Sequence, residues 1–65
     1  MKKGQLRLAR RERGYTQKDV TSLTGIAQAS ISQYEGGKRT PYIEVFITLA
    51  KLYNVTLDYL VLGRE

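Results

Sequence analysis

The sequence predicts an all-α domain of five short helices, and three observations carry that prediction. Apolar residues recur at three- and four-residue spacings, as in Ile43, Phe46, Ile47, Ala50 and Tyr53, which is the period of one helix face. Helix stop and start signals stand between such stretches: Gly14 before Thr16, Gly25 after Thr24, Gly36-Gly37 before Pro41, and Asn54 before Thr56. No alternating apolar–polar run is long enough to make a useful strand. Sixty-five residues make one domain, spanning 1–65.

The first helix is expected from Gly4 through Arg13, with Leu6, Ala9 and Arg10 on one face and basic residues around the rest. Thr16-Gln17-Lys18-Asp19 is a strong start for the second. The Thr16 hydroxyl can accept from the third helical amide while the Asp19 carboxylate reaches back to the amide of Thr16. Tyr15 and Val20 stand at the two positions that form a hydrophobic staple across such a cap. This helix is expected over Gln17–Thr24, burying Val20 and either Leu23 or Thr24, with Gly25 closing it in a left-handed conformation. A third helix begins near Ala27 or Gln28 and runs to about Glu35. After the basic turn Lys38-Arg39-Thr40, Pro41 is placed to open the fourth helix. Its apolar stripe is widened by Leu49 and Leu52, and it ends at Asn54. Thr56 caps a short fifth helix, with Asp58 in its first turn favouring the dipole.

Composition narrows the function. The chain has no Cys and no His, so neither a disulfide framework nor ordinary zinc ligands are available, and no metal or cofactor is expected. The same absence removes the usual base near neutral pH and the usual thiol nucleophile. The six carboxylates are scattered and no phosphate-binding Gly-rich loop occurs, so no enzymatic activity and no small-molecule site are expected. No apolar run approaches the ~20 residues needed to span a bilayer, and Met1-Lys2-Lys3 does not open a secretory signal. The expected setting is the cytoplasm, at the nucleoid, with no membrane partner. The net charge of +5 is unevenly placed. Residues 1–40 carry nine Lys/Arg against Glu12, Asp19 and Glu35, whereas residues 41–65 carry Lys51 and Arg64 against Glu44, Asp58 and Glu65. A basic half joined to a near-neutral half suggests one face for a polyanion and another for something else.

The informative constellation is two short helices joined by a tight Gly25-Ile26 turn. Such a pair lets one helix rest across a DNA backbone while the next enters the major groove. Val20, Ile26, Ile31 and Tyr34 are the apolar positions expected to lock the two at a fixed angle. On a helical wheel Gln28, Ala29, Ser32, Gln33 and Gly36 share one arc of about 140°, and Ala27, Ser30, Ile31 and Tyr34 take the opposite one. The outward arc thus holds two amides, a hydroxyl and a methyl, and no carboxylate. Amides pair bidentately with adenine in the major groove, and Ala can meet a thymine methyl. An ordinary solvated face would carry Lys and Glu instead.

Gly14-Tyr15-Thr16-Gln17, Gly25-Ile26, Ile31-Ser32-Gln33-Tyr34-Glu35, Gly37-Lys38-Arg39-Thr40-Pro41 and Val55-Thr56-Leu57-Asp58-Tyr59-Leu60 together resemble the Cro/CI-type (XRE) helix-turn-helix family of phage and bacterial repressors. The resemblance covers nearly the whole chain. It implies a compact five-helix, lambda-repressor-like domain that binds double-stranded operator DNA as a homodimer and regulates transcription, most simply by repression. It further implies that Gln28, Ala29, Ser32 and Gln33 face base edges. Gln17 would contact a phosphate and steady Gln28, while Lys38, Arg39 and Thr40 hold the backbone. Arg10 and Glu35 fall where the family often places an ion pair. Two residues depart from the family pattern: Thr21 stands where Ala is usual, and Ala27 where Ser or Thr is usual. The first loosens a close helix crossing; the second removes a side-chain cap worth ~1 kcal/mol.

The C-terminal stretch holds more apolar residues than one short helix can bury. Tyr59, Val61 and Leu62 cannot all face the core along with Leu57 and Leu60, so this region is the expected dimer interface. Two alternatives stay open: an antitoxin or restriction-modification controller, which adds a protein partner to the same fold, and a helical module that binds only protein.

Overall fold

The computed structural model describes residues 4–63. Five helices follow in order, α1 Gln5–Glu12, α2 Gln17–Thr24, α3 Gln28–Glu35, α4 Ile43–Tyr53 and α5 Leu57–Leu62, and there is no strand among the described residues. α2 packs on α3, α3 on α1, and α5 closes the domain against α1 and α4. One core runs through all five, built from Leu6, Ala9, Val20, Ile31, Tyr34, Phe46, Leu49, Ala50, Tyr53 and Leu60. No helix among the described residues is long and apolar enough to cross a membrane.

The local signals act where the sequence puts them. At the start of α2 the Asp19 amide donates to Thr16 Oγ1 at 3.1 Å and the Thr16 amide donates to Asp19 Oδ2 at 2.8 Å. The Thr16 amide, and then its hydroxyl, hold the Asp19 carboxyl below the usual carboxylate range. Tyr15 is half-buried against the core into which Val20 is completely sunk. α2 closes at Gly25, whose φ of 79° lies in the left-handed region and whose amide bonds Thr21 O at 2.8 Å. A side chain there would carry the strain that glycine avoids. Thr56 caps α5 by accepting from the Tyr59 amide at 3.0 Å.

Four details differ from the reading of the sequence. α1 is one residue shorter at each end than expected, with Gly4 and Arg13 as its caps. Pro41 does not open α4. It is buried two residues before the helix, and Tyr42, in an extended conformation, is the residue whose carbonyl receives the first amides, from Val45 and Phe46. The stripe on α4 is also rotated. Phe46, Leu49, Ala50 and Tyr53 are buried, whereas Ile43 and Ile47 are 57% and 38% exposed. Those two isoleucines sit about 70–110° around the helix from the centre of its buried face. Ala27, expected on the inward arc of the third helix, is instead exposed as the N-cap of α3, without a side-chain bond. On α2 the choice between Leu23 and Thr24 falls to Thr24. Its hydroxyl donates to Val20 O at 2.7 Å and accepts from the Ile26 amide at 3.1 Å, and Leu23 is left 59% exposed.

Thr21 introduces a cost into this crossing. Its hydroxyl oxygen is buried without a hydrogen-bond partner, and an unsatisfied buried hydroxyl costs about 1–3 kcal/mol. Thr21→Val keeps the shape and removes the oxygen. It is expected to raise unfolding stability by about 1 kcal/mol in urea titrations, and a decrease would mean that the hydroxyl is satisfied in solution.

Candidate nucleic-acid interface

The interface is built on α3, and its geometry begins with what anchors that helix from behind. Ile31, Tyr34 and Glu35 are buried, at 2%, 5% and 4% exposure. Burying Glu35 requires a counter-charge, which α1 supplies. Arg10 Nε donates to Glu35 Oε2 at 2.7 Å and Arg10 Nη2 donates to Glu35 Oε1 at 3.1 Å, a bidentate pair. Arg10 Nη1 donates to the carbonyl of Tyr15 at 2.8 Å, tying the chain that leads into α2 to the same node. Arg7 approaches Glu35 Oε1 at 3.5 Å from the half-exposed side. The hydrogen bonds to Glu35 hold the Arg10 guanidinium still more firmly protonated than usual. Tyr53 adjoins this node; burial, reinforced by the Glu35 carboxylate, pushes its phenol up to about 12, so it stays neutral.

With its inner side fixed, α3 turns Gln28, Ala29, Ser32 and Gln33 to solvent. These four residues share one face, and none of the four is charged. The carboxylate of α3 is Glu35, and it is buried and paired. Lys38, Arg39 and Thr40 follow in an exposed turn that folds back on α3, where the amides of Lys38 and Arg39 bond the main-chain carbonyl of Gln33 at 2.9 and 3.3 Å. Exposed Arg7, Arg11, Arg13 and Lys18 on α1, the turn after it and α2 add positive charge.

Gln17 behaves differently from its expected role of steadying Gln28. It is half-buried, and its Nε2 donates to Glu35 Oε1 at 3.1 Å, so its amide points inward to the Arg10–Glu35 node. The physical reason is that Glu35 has lone pairs left after binding Arg10, and a buried carboxylate recruits any donor in reach.

A link absent from the sequence reading joins Arg39 to the outward face. Arg39 Nη1 donates to Gln33 Oε1 at 3.0 Å, and the guanidinium lies 5.3 Å from the ring centroid of Tyr34. The sequence signal for it is only the position of Arg39 six residues after Gln33, across the Gly36-Gly37 turn.

At the C-terminal end, Leu62 projects at 51% exposure, while Tyr59 and Val61 are partly buried against the domain's own core. Tyr59 also donates its hydroxyl to Glu12 Oε1 at 3.0 Å, joining α5 to α1.

Comparison with known proteins agrees with this geometry. The profile of a family described as a helix-turn-helix domain matches residues 5–65. The chain is 40% identical over 60 residues to the HTH-type transcriptional regulator ImmR of Bacillus subtilis (strain 168), covering 92% of this chain and 46% of that protein. It is 38% identical over 56 residues to the HTH-type transcriptional regulator AnsR of the same organism, covering 86% of this chain and 47% of that protein. The chain thus spans about half the length of the curated relatives it matches.

Proposed function

This chain belongs to the helix-turn-helix domain family, a family of sequence-specific DNA-binding modules in transcription regulation, and from that premise we propose that it represses transcription by occupying an operator, with α3 in the major groove. The observation that carries this reading is the exposed set of uncharged side chains, Gln28, Ala29, Ser32 and Gln33, on a helix whose other side is locked to α1 and α2. Amide and hydroxyl groups there match the hydrogen-bonding edges of base pairs, and Lys38, Arg39 and Thr40 lie where phosphates flank the groove. Repression by occupancy needs binding alone, whereas activation needs a further contact to the transcription machinery. The similarity to ImmR and AnsR, both named as transcriptional regulators, supports the regulatory part. The setting is the cytoplasm, where the chromosome lies.

We further propose that two copies bind a two-fold operator, associating through the C-terminal region around Tyr59, Val61 and Leu62. Leu62 offers the exposed apolar surface. In the DNA complex Gln17 would exchange its bond with Glu35 for one with a phosphate at the α2 N-terminus.

The testing experiment measures binding to a site selected from a random duplex pool. Gln28→Ala is expected to lower affinity for the selected site by about 1–3 kcal/mol and to leave binding to scrambled DNA unchanged. Lys38→Ala is expected to weaken both alike and to make the slope of log affinity against log salt shallower by about 0.9. Full discrimination retained by Gln28→Ala would remove this residue from the base-reading set, and no binding to any duplex at low salt would remove DNA altogether.

A further inference from the structure

We infer that Arg39 is a positioning residue that sets the hydrogen-bonding polarity of Gln33, so that the Gln33–Arg39 pair selects guanine and not adenine at the base it faces. This inference rests on the reading of α3 as the base-reading helix.

Glutamine is ambiguous as a reader, because its amide offers an acceptor and two donors. An amide free to present both sides matches adenine, which displays a donor and an acceptor on its major-groove edge. Gln33 is not free in that way. Arginine only donates, so the 3.0 Å contact from Arg39 Nη1 fixes which end of the amide it meets: the oxygen. One lone pair of Oε1 is occupied, a cation stands beside it, and the NH₂ group is what remains to project. An incoming adenine would have to bring its exocyclic N–H donors to an oxygen that already accepts from Arg39 and has a cation beside it. Guanine presents two acceptors, O6 and N7, on the same edge. The Gln33 NH₂, left facing outward once Oε1 is bound to Arg39, donates to that pair of acceptors.

The pair is held in place by the Tyr34 ring and by the main chain, which separates it from a chance surface contact. The Arg39 guanidinium lies 5.3 Å from the Tyr34 ring centroid, within range for a cation–π interaction. Tyr34 is itself 5% exposed, so this platform is part of the core. The Arg39 amide also bonds the main-chain carbonyl of Gln33 at 3.3 Å, beside the Lys38 amide at 2.9 Å. Backbone and side chain of residue 39 therefore both converge on residue 33.

The test compares the sequences selected from a random duplex pool by the unmodified domain, Gln33→Ala, Arg39→Met and Lys38→Met. Arg39→Met keeps the length of the stem and removes the donors. Lys38→Met removes the same charge one residue away and serves as the control. The unmodified domain is expected to enrich guanine at the position that Gln33→Ala changes, by roughly ten- to a hundredfold over adenine. Arg39→Met is expected to move that one position toward adenine by about the same factor, because the freed amide can then present both its oxygen and its nitrogen. Lys38→Met is expected to weaken all sequences alike and leave the preferences intact. An adenine preference in the unmodified domain, or an Arg39→Met pattern identical to that of Lys38→Met, would overturn the inference while leaving α3 as the reader. If the unmodified domain enriches nothing, or Gln33→Ala changes no position, the inference falls together with the reading of α3.

Discussion

Replacing Glu35 by Ala is expected to destabilise the domain by about 3–5 kcal/mol, because it leaves Arg10 buried without its counter-charge. The Arg10 side chain is 9% exposed, so water cannot readily take the place of the carboxylate. Three further groups lose a partner or an alignment at once: the Gln17 amide, the Arg7 guanidinium and, through Arg10, the carbonyl of Tyr15. A stability of roughly 0.05–0.15 kcal/mol per residue is usual, so in a 65-residue chain this loss takes a large share of the total. Thermal and urea unfolding of Glu35→Ala read the effect directly. The double variant Arg10→Met with Glu35→Leu is expected to recover most of it, since an apolar pair of similar volume avoids the desolvation of two ions. Near-native stability in Glu35→Ala alone would mean that the node is solvated and that α3 is oriented by apolar packing only. A loss of DNA affinity without a loss of stability would assign Glu35 to the interface and not to the brace behind it.

Inserting five base pairs at the centre of a palindromic operator is expected to weaken binding by roughly 10²–10⁴-fold, the range over which linked sites exceed single ones. One α3 reads only a few base pairs, and two copies related by a two-fold axis read half-sites about 34–36 Å apart, one turn of duplex. Five extra pairs carry one half-site to the opposite face, where the second copy cannot reach it while touching the first. An isolated half-site is expected to bind as weakly as the inserted one. The apolar surface free for association is small, since Tyr59 and Val61 are partly committed to their own core and Leu62 is the residue that projects. The dimer is therefore expected to be weak without DNA, as interfaces burying under ~1,200 Å² are. Leu62→Lys should then reduce binding to the intact palindrome and leave the half-site unaffected. Equal affinity per half-site on all three duplexes would sink the dimer.

The sequence by itself determined the features that depend on neighbours within one or two helical turns. The Thr16–Asp19 cap, the left-handed Gly25 and the inward Val20, Ile31 and Tyr34 follow from hydrogen bonds and side-chain directions set by three- and four-residue spacing. The spacing of α2, turn and α3 follows from the same signals, so the outward face of Gln28, Ala29, Ser32 and Gln33 was legible before any contact between helices was known. Tertiary structure decided everything that required knowing which part of a helix another element covers. Ile43 and Ile47 share the α4 periodicity with Phe46 and Ala50, yet they lie off the face that the core covers and remain exposed. It also decided where the long polar side chains go. Gln17 and Glu35 are 18 residues apart, Arg10 and Glu35 are 25 apart, and no local rule joins either pair; for the second, only the family resemblance put the two residues side by side. Arg39 reaches Gln33 because the Gly36-Gly37 turn folds the chain back over a buried tyrosine. A flexible side chain with several donors has many rotamers of similar energy, and the partner that the fold brings within about 3 Å selects among them.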